Sequence, residues 1–547
     1  MNKQEWCTEL LIGGIRQSVD SDPSVAIHKA KEKVKRAGIK PSTLYFQLYK
    51  QSVDARKKTD VHFVCTVRAV SNQPIESFSA ERLKEAGIKI AARKEMLPLI
   101  GKKPLKARPL VVGMGPAGLF AALMLARYGY QPILIERGAS VAERAEKVER
   151  FRSSGVLDTE SNIQFGAGGA GTFSDGKLVT RVHDERCGFV LEALVEHGAP
   201  EEILTKAKPH IGTDLLRGVV SSILAEIESR GGELHYHCRM DDFEEHADKT
   251  VTVKTNNGSF LCSAVFLALG HSARDTYAKL LQKQLAIEPK PFSVGFRIEH
   301  LQKDIDEALY GSFAGNPKLG PAEYAISDTT GERGVYTFCM CPGGEVVAAA
   351  SEHEGLVVNG MSYHARNGKN ANSAVLASIG CEDIEPVDGS AVLGAIAFQR
   401  RLERAAYVAG GGDYTAPIMT VGDFLAGKRG SIPSRILPSY RDGKCKAADF
   451  EEIYPKFATY ALRRGLLSFG RKIKGFDAPD AILTAAETRT SAPLRILRDP
   501  EQMIAIGHPC LYPCGEGAGY AGGITSAAVD GLRAALAFME SYAPFEK

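Results

Sequence analysis

The sequence lacks the segments that would place it in a membrane or in an oxidising compartment. One charge-free stretch, residues 109–126, approaches the ~17–25 residues that a transmembrane helix needs, but three glycines and Pro116 interrupt it. No apolar core of the signal type follows the first residues, MNKQEW, so we expect no signal peptide. The eleven cysteines show no disulfide-framework spacing. The sequence therefore predicts a reduced, cytoplasmic protein without a membrane span.

Several catalytic signatures are missing as well. No Walker motif and no Ser-His-Asp arrangement stands out. His210, His235, His237 and His271 show no metal-ligand spacing tied to nearby cysteines. We therefore expect no metal site.

Charge is distributed unevenly along the 547 residues. Residues 1–106 hold 21 Lys and Arg against 11 Asp and Glu, a net charge of +10, whereas the remainder hold 47 against 54, a net charge of −7. Overall composition is ordinary for a globular protein, with 44% hydrophobic and 24% charged residues. The length predicts several domains, and the charge pattern indicates that the first hundred residues form a separate module.

The most informative stretch is residues 109–138, PLVVGMGPAGLFAALMLARYGYQPILIERG. It predicts a strand, a G-x-G-x-x-G turn, a helix, a second strand and an acidic residue, Glu136, 23 residues after Gly113. Gly113 permits the sharp turn, Gly115 lets the backbone approach a pyrophosphate, and Gly118 permits close helix packing. Glu136 suits ribose hydroxyls and would repel a 2′-phosphate, which favours FAD or NAD over NADP. The alternative is a glycine-bearing apolar hairpin that only packs.

The N-terminal module, residues 1–106, alternates strands and helices in a pattern that resembles a ferredoxin-like α+β unit. Its basic residues, among them Lys29, Lys31 and Lys33, suggest two interpretations: a solvated helix face, or a surface that binds RNA. Tyr45, Phe46 and Tyr49 could stack bases, although aromatic residues more often belong to the core. We expect residues 102–108 to form a polar linker.

Downstream of the glycine motif, a charged helix at 141–152 brings Arg144 toward the cofactor phosphates. The loop 165–178, FGAGGAGTFSDGKL, holds five glycines, which suits a chain that passes close to a flat ligand and is costly in a helix. Lys177 in this loop is a candidate to tune the flavin electronically, since a cation near the flavin N1–O2 edge stabilises the reduced anion. The alternative is a flexible surface loop.

The rest of the chain returns to the same sheet twice. Residues 263–272 predict a strand that ends near the cofactor, and Met240 would lie where the backbone meets adenine. Residues 290–479 predict an inserted, mostly β substrate domain with a hairpin at 336–347. In the tail, 511–524 combine a short strand, Gly515-Glu516 and glycines with a following helix, whose dipole would point at the flavin pyrimidine edge.

Four stretches in order, 110–137, 166–178, 264–271 and 511–533, resemble the glutathione-reductase-like FAD flavoproteins. Glu516 stands where that family usually has Asp. The chain is more closely similar to bacterial uncharacterised FAD-dependent dehydrogenases, through GAGGAGTFSDGKL, TFCMCPGG, NGMS, ETRTS and GEGAGYAGGI. This resemblance covers nearly the whole chain and implies non-covalently bound FAD and an oxidoreductase, without naming a substrate.

These observations predict an α/β protein. A Rossmann-like FAD-binding domain (107–289 and 480–547) would carry the inserted substrate domain (290–479) and follow the N-terminal module (1–106). The residues expected to bind the cofactor are Gly113, Gly115, Pro116, Ala117, Gly118, Glu136, Arg137, Arg144, Gly169, Ala170, Gly171, Thr172, Ser174, Asp175, Gly176, Lys177, Leu178, Met240, Ala268, Gly270, His271, Gly515, Glu516, Gly522, Gly523 and Ile524.

The catalytic residues stay open, with Lys177, Arg489, Cys339 and Cys341 as candidates. Cys339 and Cys341 could act as a thiol pair, but buried structural cysteines are the more common case. Arg297, Arg366 and Arg489 could clamp a carboxylate or phosphate of the substrate.

No second G-x-G-x-x-G follows a strand, so NAD(P)H, if it is the electron donor, would bind without a separate Rossmann domain. A small-molecule oxidoreductase is the favoured function. The alternatives are a FAD-containing protein that binds or modifies RNA, and a scaffold in which FAD is structural.

Overall fold

The computed structural model describes residues 8–72, 78–91 and 97–545. Contacts between Cα atoms divide the chain into two compact units: the smaller holds the chain up to residue 97 with 200–209 and 306–322, and the larger holds the rest. The segment MNKQEW, on which the signal-peptide expectation rests, lies outside the described residues. Within the described ranges, no helix is long and apolar enough to cross a membrane.

The smaller unit has the element order β-α-β-β-α-β. Its elements are β1 (Thr8–Ser18), α1 (Ser24–Arg36), β2 (Tyr45–Asp54), β3 (His62–Ser71), α2 (Ala80–Glu85) and β4 (Ile88–Ala91). The strands form one antiparallel sheet in the order β2-β3-β1-β4. Leu10, Ile12, Cys65 and Val67 are fully buried, because alternate side chains of a strand share one face.

The basic side chains of α1 are largely used inside this unit. Lys29 Nζ and Lys33 Nζ donate to backbone carbonyl oxygens of β1, at 2.7 and 3.0 Å. Lys31 Nζ lies 5.6 Å from the centre of the Phe46 ring. Phe46 is buried, while Tyr45 remains about half exposed. The contacts of these lysines are those of a helix bound to its own sheet.

Two later segments belong to the smaller unit. The backbone of Gln51 in β2 accepts from Ala207 N at 2.8 Å and donates to Thr205 O at 2.7 Å. Lys318 Nζ donates to the Asp20 carbonyl oxygen at 2.8 Å. The unit is therefore assembled from three parts of the chain, which a linear boundary at residue 106 does not describe.

The larger unit holds most of the regular elements. Up to residue 301 they are β5 (Leu110–Val112), α3 (Pro116–Arg127), β6 (Ile133–Ile135), α4 (Val141–Ser154), α5 (Arg186–Glu196), α6 (Thr213–Ser229), β7 (Glu233–His235), β8 (Met240–Glu245), β9 (Val251–Thr255), β10 (Gly258–Cys262), β11 (Val265–Leu267), α7 (Arg274–Gln282), β12 (Ile287–Pro289) and β13 (Phe292–Leu301).

The elements after β13 complete the chain. They are α8 (Gln302–Tyr310), β14 (Ser327–Asp328), β15 (Val335–Cys341), β16 (Glu345–Ala348), β17 (Val358–Met361), β18 (Asn370–Ile379), α9 (Ala391–Gly410), β19 (Ala416–Thr420), α10 (Val421–Ala426), β20 (Cys445–Ala447), α11 (Lys456–Lys472), β21 (Ile482–Glu487), β22 (Leu494–Ile496), β23 (Leu511–Pro513) and α12 (Ile524–Ser541).

A five-stranded parallel sheet in the order β23-β11-β5-β6-β7 supports the glycine motif. Strand β5 is buried along its whole length, as expected for a parallel strand covered on both faces. The predicted succession of strand, glycine turn, helix and strand over 110–135 is confirmed. Because the strands are parallel, the carboxyl ends of β5, β6, β11 and β23 lie at the same edge of the sheet. Ligands of open α/β sheets bind at this edge.

A seven-stranded sheet in the order β14-β15-β18-β13-β21-β19-β20 is the other main sheet of the larger unit. The expectation of a mostly β region at 290–479 is wrong, because α9 and α11 contribute 20 and 17 residues there. In α9, Val392, Ala395, Ile396 and Gln399 are buried, and their spacing is that of one helix face. That spacing was present in the sequence.

The predicted hairpin at 336–347 is also wrong. β15 pairs with β14 and β18, whereas β16 pairs with β17 in a separate two-stranded sheet. A bulge between Phe338 and Cys341 interrupts the β15–β18 register. Cys339 in this bulge has φ +45°, in the left-handed region, and the chain leaves the seven-stranded sheet before β16 begins.

The expected polar linker at 102–108 is held against the end of α12. Gly101 N donates to Met539 O at 2.8 Å, and Lys103 N donates to Ser541 O at 3.3 Å. Ala543 N in turn donates to Lys103 O at 2.9 Å. These three backbone hydrogen bonds make the segment part of the larger unit.

Candidate functional site

One cleft of the larger unit collects most of the residues that the sequence singles out. Among its lining residues are Gly113, Gly115, Pro116, Ala117, Glu136, Arg137, Gly169, Ala170, Gly171, Ser174, Asp175, Lys177, Met240, Ala268, Gly270, His271, Glu516, Gly522, Gly523 and Ile524. Six expected cofactor residues do not line it: Gly118, Arg144, Thr172, Gly176, Leu178 and Gly515. Of the catalytic candidates, Lys177, Cys339 and Arg489 line the cleft and Cys341 does not.

The three glycines of the turn after β5 have different roles. Gly113 has φ +99°, and a Cβ there would contact the Ala268 carbonyl oxygen. A Cβ on Gly118 would collide with the carbonyl oxygen of Gly113. A Cβ on Gly115 would meet, among the described residues, the Cα of Gly169 alone, at 3.7 Å. Gly115 therefore keeps space in the cleft open, whereas Gly113 and Gly118 permit packing inside the protein.

The N-terminus of α3 faces this space. Gly115 is the N-cap and Pro116 the first helical residue. The first N–H groups of a helix have no partner within the helix and carry the positive end of its dipole. Such an end, beside a glycine that has no side chain, can bind the phosphates of a nucleotide.

Glu136 at the end of β6 is a structural centre as well as a cleft residue. Its carboxylate accepts from Met114 N at 2.9 Å, Gly138 N at 3.0 Å and Gly166 N at 2.9 Å. The side chain is buried. Glu136 therefore ties the glycine turn to the loop that follows α4, and its remaining acceptor capacity is what a ribose hydroxyl could use.

Arg144 lies behind the cleft and does not reach into it. Its guanidinium is fully buried and donates to five backbone carbonyl oxygens, those of residues 162, 163, 166, 167 and 169, at 2.8–3.2 Å. It also stacks on the Phe173 ring, 4.8 Å from the ring centre. The expectation that Arg144 meets the phosphates is therefore corrected: it shapes the glycine-rich loop.

Other expected cofactor residues outside the lining serve the same support. The backbone carbonyl oxygens of Thr172 and Leu178 accept from threonine hydroxyls of α6 and α12, at 2.7 and 2.8 Å. Gly515 N donates to Asp530 Oδ2 at 2.8 Å. Asp530 is itself ion-paired with Arg498. These contacts hold the loop and the turn after β23 in place from behind.

Lys177 belongs to a buried cluster with Asp175 and Arg366. Lys177 Nζ lies 2.8 Å from Asp175 Oδ2 and also donates to the Met340 carbonyl oxygen. Arg366 Nε donates to Asp175 Oδ1 at 2.9 Å. Burial acts to lower the pKa of Lys177, but the Asp175 carboxylate and weaker attractions, Glu323 among them, together hold that pKa above its ordinary value. Lys177 is thus a charged, immobilised side chain at the cleft wall.

The turn between β23 and α12 supplies a second group of lining residues. Gly522, Gly523 and Ile524 place the N-terminus of α12 at the cleft. Glu516 lines it too, and no described residue hydrogen-bonds its carboxylate. Burial raises the pKa of Glu516 to about 7, against the opposing effect of Lys290. An acid placed in this way can bind a ligand hydroxyl in either protonation state.

Cys339 and Cys341 are unbonded thiols. Cys341 is fully buried and donates to the Cys339 carbonyl oxygen at 3.2 Å. Burial raises the pKa of Cys341 to about 12 and also raises that of Cys339. Because the thiolate is the reactive form, this environment favours unreactive thiols at neutral pH.

The three arginines expected to clamp an anion are each engaged with a carboxylate. Arg297 is paired with Glu487, Arg366 with Asp175, and Arg489 with Glu403. Glu403 also accepts from Arg274, at 2.7 and 2.9 Å. Only Arg489 of the three lines the cleft.

Sequence reasoning missed Asn359 and Glu487 as site residues, although both line the cleft. Each opens a motif that carries the family resemblance, NGMS and ETRTS respectively, and this was the available signal. Glu487 is buried. Burial raises its pKa even though Arg297 opposes the shift.

The cleft is also lined by Arg137, Arg239 and Met240. Both arginines are ion-paired with Glu160, at 2.9 Å each. His271 also lines the cleft, and burial together with Arg489 and Arg274 lowers its pKa to about 3, so its ring is neutral. Among the described residues, no group of three or more His, Cys, Asp or Glu could hold a metal ion.

The cleft fits FAD on its own geometry. Gly115 lines the cleft beside the N-terminus of α3 without a side chain, which leaves room there for a diphosphate. Glu136 and Glu516 are carboxylic acids of the cleft that would accept from the ribose and ribityl hydroxyls. The α12 N-terminus supplies partial positive charge for an electron-rich ring edge.

Two family models agree with this fit. Residues 106–161 match the family model "FAD binding domain", and residues 291–490 match "FAD-dependent protein, C-terminal domain-like". Two similar solved structures are CtdE in complex with FAD (11% identity, 79% of this chain and 84% of that chain, TM-score 0.33) and glycine oxidase from Geobacillus kaustophilus (10%, 79% and 93%, TM-score 0.31). Similarities this low carry no argument about function.

A relative of nearly the same length gives the family. An uncharacterized protein of Clostridium beijerinckii is 44% identical over 534 residues, which are 97% of this chain and 98% of the relative. The cofactor is FAD. The chain belongs to the same family as the Clostridium beijerinckii protein, a family of FAD-dependent proteins.

Proposed function

We propose that the protein is a FAD-dependent oxidoreductase that acts on a small molecule. The observation that carries this proposal is that one cleft joins two sets of residues. One set, around Gly115 and Glu136, suits the nucleotide half of FAD. The other set includes Lys177, Asn359 and Glu487, a group of polar side chains that holding a nucleotide does not require.

The residues of the chain have separate tasks in this proposal. The α3 N-terminus and Gly115 bind the diphosphate, Glu136 binds the ribose, and Glu516 binds the ribityl chain. The α12 N-terminus, at Ile524, stabilises negative charge on the pyrimidine edge of the ring. Bound FAD supplies the acceptor for a hydride or electrons. The second set of residues holds the substrate and excludes water.

Finer features extend the proposal. The β-α-β-β-α-β order supports a ferredoxin-like N-terminal module, and the parallel sheet with its glycine turn supports a Rossmann-like, glutathione-reductase-like cofactor domain. We also propose a dehydrogenase in the cytoplasm, with non-covalently bound FAD. NAD(P)H, if it is the donor, reaches the same cleft without a second nucleotide-binding domain. No observation favours RNA binding.

The test is a visible spectrum of the purified protein, followed by anaerobic titration with NADH, NADPH and dithionite. We expect flavin absorption that is released by denaturation, and bleaching by a substrate or a nicotinamide donor. Absence of flavin, even after FAD is added, would overturn the proposal. Reduction by dithionite alone, across a broad substrate screen, would favour a structural role for FAD.

A further inference from the structure

The cations that line the cleft are all compensated within the protein. In the described part of the chain these are Arg137, Lys177, Arg239 and Arg489. Each has a carboxylate within 2.9 Å. His271 is neutral for the reason given above. Among the described residues, therefore, no lining side chain offers an uncompensated positive charge to an anionic substrate.

The charge balance extends to the residues behind the wall. Lys177 and Arg366 face Asp175 and Glu323. A second cluster joins Arg489 and Arg274 to Glu403 and Glu352. In the first cluster two cations meet two carboxylates; in the second, the half-exposed Arg400 also pairs with Glu352, at 2.6 Å.

The second cluster is built from three parts of the chain. Arg489 and Arg274 each lie 2.7 Å from Glu403, and Arg274 lies 2.9 Å from Glu352. Arg297 and Glu487 form a further balanced pair. A carboxylate or phosphate that entered beside these groups would lose its hydration without gaining a free counter-charge, which is unfavourable in a buried site.

Two polar groups on this wall are held in fixed orientations by Arg297. Asn359 Oδ1 accepts from Arg297 Nη2 at 2.7 Å and from Gly360 N at 2.8 Å. Two donors on one atom identify it as the oxygen, so the Nδ2 amide group is the other terminus. No described residue accepts from Asn359 Nδ2, and this amide group is accessible rather than buried.

The acceptor beside this donor is Glu487. Its two carboxylate oxygens accept from Arg297 Nη2, at 3.0 Å, and from Arg297 Nε. Each oxygen keeps a further lone pair. Arg297 also donates to the Cys339 carbonyl oxygen at 2.8 Å. One buried guanidinium thus fixes residues of β15, β17 and β21, and presents one donor and one acceptor at the cleft.

We propose that the substrate side of this cleft recognises an uncharged group that carries both a hydrogen-bond acceptor and a donor, of the carboxamide or lactam class. Asn359 Nδ2 donates to the carbonyl oxygen of that group, and Glu487 accepts from its N–H. Arg297 is the positioning residue for both. This inference rests on the proposed function, because it assigns the substrate class of the same cleft.

The experiment uses the FAD-loaded protein and two matched pairs of probes: benzamide with benzoate, and nicotinamide with nicotinate. Binding is followed by the perturbation of the visible flavin spectrum and by the shift in melting temperature. We expect each amide to bind at least about tenfold more tightly than its carboxylate, a difference of ~1.4 kcal/mol. Equal or tighter binding of the carboxylates, or no binding of any probe up to its solubility limit, overturns the proposal.

Two variants test the assignment to residues. Asn359→Asp keeps the acceptor for Arg297 and removes the donor, so benzamide should bind about tenfold more weakly. Glu487→Gln leaves Arg297 uncompensated, so the ratio of benzoate to benzamide affinity should rise about tenfold. If both variants fold and keep FAD, as melting and flavin content report, and neither ratio nor affinity changes, the assignment is overturned.

A matched control breaks an ion pair away from the cleft. Asp383 pairs with Arg333, and neither residue lines the cleft, so Asp383→Asn should leave both probe affinities unchanged. If the protein binds FAD and is reduced by dithionite but prefers carboxylates, this inference is wrong and the proposed function is unaffected. A protein without FAD sinks the proposed function itself.

Discussion

Replacing Gly115 with valine should remove FAD and leave the protein folded. A Cβ at this position would lie 3.7 Å from Gly169 Cα, an ordinary van der Waals contact, and Gly115 has φ −78°, which any residue adopts. The cost to the fold is then that of a poor N-cap, about 1 kcal/mol. That cost should lower the melting temperature of the FAD-free protein by only a few degrees.

The cost to FAD binding is much larger. The valine side chain fills space in the cleft beside the N-terminus of α3, where we propose that the diphosphate binds. If two charge-assisted hydrogen bonds to backbone N–H groups are lost, at ~1.5–3 kcal/mol each, the binding free energy weakens by ~3–6 kcal/mol. The affinity for FAD then falls by a factor of at least about 100. We therefore expect a folded protein that is purified without flavin and is not stabilised by added FAD.

The assay is the ratio of flavin to protein absorbance after reconstitution, with melting curves recorded in the presence and absence of FAD. Gly188 in α5 is the matched control, because a Cβ there meets nothing within 4 Å and the residue does not line the cleft. Gly188→Val should keep full flavin occupancy. Gly118→Ala should instead fail to fold, since its Cβ would collide with the Gly113 carbonyl oxygen. Full occupancy in Gly115→Val would refute the assignment of the diphosphate site.

Three other predictions follow from the walls of the cleft. Glu136→Ala should lower the free energy of unfolding of the FAD-free protein by at least ~2 kcal/mol in denaturant titration, because three backbone N–H groups lose their acceptor. Glu136→Gln keeps one acceptor oxygen and is the control; an equal loss in the two variants would contradict this prediction. Arg144→Lys should lower flavin occupancy and expose residues 162–169 to proteolysis, because an ammonium cannot serve five carbonyl oxygens; an unchanged cleavage pattern would count against this role. Glu516 has a pKa raised from 4.5 to about 7 in the folded protein, so its contribution to stability is present below pH ~4.5 and is lost as pH rises through 7. Glu516→Gln should abolish this loss, which is worth up to ~3 kcal/mol. A pH profile of stability that is the same in the variant and the original FAD-free protein would refute the prediction.

The sequence alone determined the local elements of the cofactor site. Short apolar runs bounded by glycines predicted β5, α3 and β6, because propensity and turn chemistry act over a few residues. The position of Glu136 at the end of β6 followed from the same pattern. The glycine-rich loop 165–178 was also recognisable as a chain that approaches a ligand, and much of it lines the cleft.

Long-range pairing was not readable in the same way. β15 and β16 are neighbours in sequence and both look like strands, but a bulge sends them to different sheets. The smaller unit takes in residues 200–209 and 306–322, which no linear boundary indicates. Such choices depend on contacts between residues that are far apart in sequence, and local pattern carries no record of them.

The roles of charged residues were decided by tertiary structure alone. The sequence shows that Arg144, Arg297 and Arg489 are cations near functional motifs, and each was a reasonable ligand for phosphate or carboxylate. Only the folded chain reveals that Arg144 is consumed by carbonyl oxygens, and that Glu487 and Glu403 neutralise the other two. An arginine carries the same charge wherever it lies, but the acceptors around it, supplied by distant segments, decide whether any of that charge is left for a ligand.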